Sequence, residues 1–163
     1  MRKFQNPGEF AAYLYEKTAL LVEAEALAFD KIGKLVAKDA KQRIGAYQDE
    51  AGEFPAWRDL ADATLADKAA KGYPVPSPLL REGDMRDSVE FSRSSDRVVI
   101  GSPSEVALWQ ELGTHGPRAG DDGYHVPPRP FLGPALFTNE KTCITILGEE
   151  IAVWLSGVRS NRW

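Results

Sequence analysis

The feature that most constrains this chain is a helical pattern over residues 8–45. Apolar residues fall at Phe10, Tyr13, Leu14, Leu20, Leu21, Leu27, Phe29, Ile32, Leu35, Val36 and Ile44, mainly three or four apart, with alanines between them. Asn6 and Pro7 suit the cap and first position of a helix, and Gly45 suits its stop. At ~1.5 Å per residue such a helix would exceed about 50 Å, wider than a compact domain of this mass. It must therefore break, with Thr18 and Gly33 as the natural points, or project beyond the body of the domain toward another subunit.

The remainder reads as a mixture of short elements. Residues 46–56 are a loop, and a short helix is expected at about 57–71. Tyr73 to Pro78 holds three prolines and must be extended. Residues 88–92 and 97–101 alternate or carry β-branched runs around Ser94-Ser95-Asp96, which predicts a hairpin. Ser102 or Ser104 caps a helix that Gly113 ends, and residues 114–124, rich in Gly, Asp and Pro, predict a mobile loop. His125 to Leu132 is expected as a third strand. Gly133-Pro134 opens the last helix, with Leu136, Cys143, Leu147, Ile151, Trp154 and Leu155 on its apolar stripe. The expected class is α+β: a long N-terminal helix, a small antiparallel sheet made of the hairpin plus the Pro-rich strand, a short helix, and a C-terminal helix packed on the sheet. One domain is expected over 1–163, with residues 1–45 as a projecting helix, 57–156 as the α+β core and 157–163 as a loose tail.

Composition narrows the function classes. No apolar run approaches the ~18 residues of a membrane span, and the start, MRKFQNPGEF, lacks the apolar stretch of a signal peptide. The single Cys143 cannot form an internal disulfide, which fits a reducing compartment. The net charge of −4 argues against a dedicated nucleic-acid binder, but it is unevenly spread. Residues 1–45 hold eight Lys and Arg against six Asp and Glu, whereas residues 46–163 hold twelve against eighteen.

Catalytic constellations are sparse. His115, Asp121, Asp122 and His125 could in principle serve a metal-dependent hydrolase, but their spacing matches no known cage and glycines surround them. Ser102 and Ser104 lack a nucleophile elbow, no phosphate-binding loop occurs, and Cys143 sits on an apolar helix stripe. The expectation is no enzyme, with no catalytic residue, cofactor or metal.

Three other stretches carry more. Leu80, Gly83, Met85, Arg86, Ser88 and Val89 form a charged turn leading into a strand. Ala107, Gln110, Glu111, Leu112, Gly113 and Thr114 end a short amphipathic helix. Pro128, Arg129, Pro130, Phe131 and Leu132 form a stiff segment suited to a sheet edge or a surface against another chain. In this order and over about residues 57–140, they resemble the small tail-completion, or head–tail joining, neck proteins of tailed bacteriophages, including the phage virion morphogenesis group. Glu82 stands where that group commonly has Ser or Thr.

The resemblance implies a structural virion protein without catalysis. It would be part of a ring, hexameric by family expectation, that finishes the head-proximal end of the tail or joins it to the connector. Its partners would be copies of itself, tail terminator or tail-tube proteins and head connector proteins, with DNA passing through the channel without sequence-specific contact. It would be assembled in the bacterial host cytoplasm. A tail terminator or head-closure protein is the neighbouring alternative. Subunit-interface candidates are Trp109, Glu111, Gly113, Thr114, Pro128, Arg129, Pro130 and Phe131, with Trp109 and Phe131 also suited to the core. Two prolines hold the Arg129 backbone stiff, so its guanidinium is presented at low entropic cost, and Glu111 is a candidate partner, within the subunit or across the interface. The loop at 115–124 is expected to order on assembly, and acidic residues of 46–163 are expected to line the channel and repel DNA.

Overall fold

The computed structural model describes residues 3–116 and 123–156. Its axis is helix α1, Pro7–Arg43, 37 residues and about 55 Å long. The entry is capped reciprocally. Asn6 Oδ1 accepts the Glu9 N–H at 2.9 Å and Glu9 Oε2 accepts the Gln5 N–H at 2.7 Å. The Phe4 ring then folds over Phe10 and Tyr13, with centroids 5.1 and 5.2 Å away. At the far end Gly45, at φ +107°, turns the chain and donates its N–H to the Pro78 carbonyl at 2.9 Å.

The helix does not break. Thr18 turns its hydroxyl back to the Leu14 carbonyl at 2.9 Å, which leaves the helical ladder intact. Gly33 is a notch rather than a hinge, because a Cβ there would lie 2.2 Å from the Phe91 ring. The first buried residue of α1 is Ala24, so its N-terminal turns stand clear of the core.

Five short elements follow. Helix α2 is Asp62–Ala70, helix α3 Asp84–Asp87 and helix α4 Glu105–Leu112, while strands β1, Glu90–Arg93, and β2, Val98–Gly101, form the expected hairpin. Glu90 faces Gly101 and Arg93 faces Val98, and the Ser94 N–H closes the turn on the Arg97 carbonyl. The hairpin lies on α1, with Phe91 in the Gly33 notch. Helix α2 begins five residues later than the spacing predicts. Trp57 is drawn into the core, where its indole N–H donates to the Pro130 carbonyl at 3.0 Å, and the Leu60 N–H goes to the Tyr47 hydroxyl. Ser104 holds the N-cap position of α4 without a side-chain capping bond, and the Ser102 hydroxyl accepts the Ser104 N–H at 3.0 Å.

Strands β3, Thr114–His115, and β4, Tyr124–Val126, pair antiparallel with each other and not with the hairpin. The expected third strand therefore ends at Val126. Beyond it Pro127, Pro128 and Pro130 have no N–H to continue a ladder, and the Arg129 N–H is spent on the Gln110 carbonyl at 2.6 Å.

Helix α5, Leu132–Ser156, runs antiparallel along α1 rather than along the sheet. Arg43 meets Thr138, Asp39 accepts from Asn139 at 2.9 Å, and Lys31 pairs with Glu150. The packed stripe of α5 runs through Ala135, Asn139, Cys143, Ile146 and Leu147 to Glu150. Leu136 and Leu155, expected on that stripe, are exposed; the line facing α1 passes through Ala135 and Asn139 instead and admits Glu150, which Lys31 neutralises. The core comprises Ile32, Val36, Ala37, Ala40 and Ile44 of α1 with Trp57, Val89, Ala107, Phe131 and Ala135.

Candidate functional site

The three motif stretches come together around one cleft of about 610 Å³. Gly83 and Met85 of the first, Val106 and Gln110 of the second, and Pro127 and Arg129 of the third face it, with Thr64 and Lys68 of α2 opposite. The local chemistry explains why these residues stand where they do.

In the first stretch Gly83 sits at φ +104°, which a side chain would strain, and starts α3. Leu80 and Met85 pack on the core and Val89 is buried within it. Ser88 donates to the Met85 carbonyl and shares a 2.7 Å hydrogen bond with Ser102, tying the turn to the end of β2. Arg86 pairs with its neighbour Asp87 at 2.9 Å. Lys68 braces the same turn from α2: it is 3% exposed and its ammonium donates to the Ser77 and Leu80 carbonyls at 2.5 and 2.6 Å. Burial, and secondarily the nearby Arg81, push its pKa down. Lys68 lies outside the three motif stretches, although its place three positions after Leu65 on the apolar side of α2 makes a lysine there conspicuous.

The second and third stretches lock to each other. The Glu111 carboxylate accepts three backbone N–H groups, from Phe131 at 2.7 Å, Leu132 at 3.0 Å and Gly133 at 2.9 Å. It thus satisfies the open donors at the start of α5 and sits at the positive end of the helix dipole. Gly133 makes room for the Phe54 ring, which a Cβ there would meet at 2.6 Å, whereas the Glu111 carboxylate would stand at an ordinary 3.5 Å.

Arg129 is not Glu111's partner. Its Nη2 donates to the Arg58 and Asp59 carbonyls at 3.2 and 3.4 Å, and the residue is only 6% exposed. Burial pushes its guanidinium pKa down, countered only by Tyr47. Its Nε is buried without an acceptor. Pro130 and Phe131 are buried as well, Phe131 completely, so the third stretch is an internal strut instead of an exposed edge. Gly113 ends α4 at φ +72°, while Thr114 and Pro128 are half-buried.

Trp109 differs from these. Ala107 is the one fully buried residue of α4, and Val106, Leu108, Trp109 and Leu112 are 46–63% exposed. The outward side of α4 is therefore largely apolar and uncovered in the single chain.

A family model described as the phage virion morphogenesis family matches residues 12–148. The chain belongs to that family. The match spans α1 from its second turn, the whole cleft and most of α5, so the Glu111 lock and the exposed side of α4 are both family territory. No curated protein and no solved structure matches the chain. As a member of this family it is a structural, virion-associated bacteriophage protein.

His115 and His125 fall on the paired strands β3 and β4, whereas Asp121 and Asp122 lie outside the described residues, as do most of the 115–124 loop and the 157–163 tail. Among the described residues no group of three or more His, Cys, Asp or Glu side chains converges as a metal site. Cys143 is half-buried on α5 with its thiol pKa pushed up by burial. No helix of the described residues is long and apolar enough to cross a membrane.

Proposed function

We propose that this virion morphogenesis protein completes the head-proximal end of the tail, or joins the tail to the head connector, as one subunit of a ring around the DNA channel. A hexamer is the expected stoichiometry. Copies of itself, tail terminator or tube proteins and connector proteins are its partners, and it works without catalysis. The ring is assembled in the host bacterial cytoplasm and ends in the neck of the virion.

The observation that carries this reading is the contrast within the motif region. A dense internal lock fixes α4 against α5, and the same α4 turns Leu108, Trp109 and Leu112 outward. Three neighbouring apolar side chains held rigidly at a surface suit a contact with another protein. The N-terminal turns of α1, with Phe10, Leu14 and Tyr15 exposed, offer a second such surface, and a closing ring needs two different ones.

Phage propagated without this protein should accumulate DNA-filled heads and separate tails, and wild-type protein supplied in trans should restore joined particles. Normal joined virions in its absence would refute the proposal. Supply of a Trp109→Asp, Leu112→Asp variant should fail to restore joining although the variant folds.

A further inference from the structure

A second cavity, of about 640 Å³, runs along the flank of α1 against the hairpin. Its floor includes Ala37, Val89 and Phe91, and Lys34, Lys38 and Lys41 stand along its rim. Lys34 and Lys38 are exposed and make no ion pair or hydrogen bond, and Lys41 reaches only the Asp87 carbonyl at 3.3 Å. Arg86 on the opposite rim is already neutralised by Asp87, and Glu90 is the remaining acid at the edge. Three lysines spaced four and three residues apart thus form one cationic row on a chain whose net charge is −4.

The complementary feature is the loop between α1 and Trp57. Asp49, Glu50 and Glu53 are exposed and unpaired, on a turn closed by the Ala51–Phe54 bridge. This turn is seated on the first turns of α5. Phe54 packs edge-on to Phe137, and Gly52, at φ +61°, lies so close to the Phe137 ring that a Cβ would stand 2.3 Å from it. It therefore presents its three carboxylates on the α5 side of the molecule. At about 100° per residue, the three lysines lie on average roughly 130° around α1 from Asp39, the residue that meets α5. The acidic turn and the cationic row consequently occupy different flanks of one chain.

We infer that the groove beside Lys34, Lys38 and Lys41 receives the Asp49–Glu53 turn of a second copy of this chain. The inference rests on the ring reading and specifies its contact: one flank of each subunit against a different flank of the next, the head-to-tail geometry that closes rings. The apolar floor favours a protein turn over a nucleic-acid backbone, which needs only the cations.

The test is self-association of the full-length chain, measured by mass photometry and sedimentation at low and high salt. K34E/K38E and D49K/E50K/E53K should each weaken association by about tenfold or more, and the chain carrying both sets should recover to within about threefold of wild type. All substituted residues are exposed and unpaired, so matching circular-dichroism melts verify folding. Association that ignores both sets of substitutions overturns the loop-in-groove contact while leaving the ring intact. Two weakened variants with no recovery on combination also overturn it. A groove variant that loses affinity for duplex DNA but keeps wild-type association assigns the groove to nucleic acid instead. A wild-type chain that stays monomeric at every concentration sinks the ring reading together with this contact.

Discussion

The two sides of helix α4 behave as different materials. Its last turn, Gln110 and Glu111, is spent inward: one carbonyl and one carboxylate receive four consecutive backbone N–H groups, from Arg129, Phe131, Leu132 and Gly133. Its outward side, Leu108, Trp109 and Leu112, is 47–63% exposed. Residues adjacent in sequence are thus divided between holding the subunit together and facing whatever lies outside it. A motif that marks a family of assembling proteins need not be the contact itself, because much of it is the frame that sets the contact's angle.

Substitutions can break that comparison from either side. The largest expected effect is at Glu111. Glu111→Ala leaves three N–H groups of a tightly packed turn without their acceptor and removes a charge from a helix N-terminus, at a cost of about 3–5 kcal/mol. Glu111→Gln keeps one acceptor oxygen and should cost about half as much in chemical denaturation.

Arg129→Ala comes next, at about 2–4 kcal/mol, since it strips the donors from the Arg58 and Asp59 carbonyls and empties a packed volume. Arg129→Lys should recover part of that loss, because a single nitrogen, Nη2, makes both bonds and one ammonium can donate to two carbonyls.

Gly33→Ala should cost about 1–2 kcal/mol net, overpacking against Phe91 outweighing the helix preference for alanine. In a Phe91→Ala background the same change should become stabilising by about 0.5–1 kcal/mol. That reversal of sign would separate a notch from a hinge.

On the outward side, Trp109→Asp with Leu112→Asp should shift stability by less than about 0.5 kcal/mol and still abolish restoration of joined particles. A large loss of stability there would erase the distinction between the two sides.

The smallest effect concerns pH. Lys68 is buried with its pKa held below the ordinary 10.5, so the unfolded chain binds its proton more readily in the window just below that value. Stability should therefore gain slightly as pH rises through that window toward 10.5, and Lys68→Met should remove the gain in urea titrations.

Local chemistry made much of this legible in the sequence. The Asn6–Pro7 entry of α1, the hairpin turn at 94–96 and the glycine stops at 45 and 113 are each decided by a few neighbouring residues. What was illegible depends on a distant partner. Gly33 reads as a weak point until Phe91 is placed beside it, and Arg129 reads as an exposed cation until the 58–59 carbonyls close over it. Glu111 reads as one half of an ion pair, yet its oxygens accept from the backbone of another helix. The apolar stripe of α5 was misplaced because Leu136 and Leu155 look like core while Glu150, neutralised by Lys31, does not. Alternation and periodicity record hydrophobicity, and buried charges escape both.

As a proposed ring subunit at the junction of head and tail, the chain should be found there on the finished particle. Immunogold labelling of purified virions with antibody raised against the purified protein locates it on the particle. The account predicts gold at the head-proximal end of the tail on intact particles and on detached tails or connectors. Gold at the distal tail tip, or virions that carry no label although the protein restores infectivity, would contradict it.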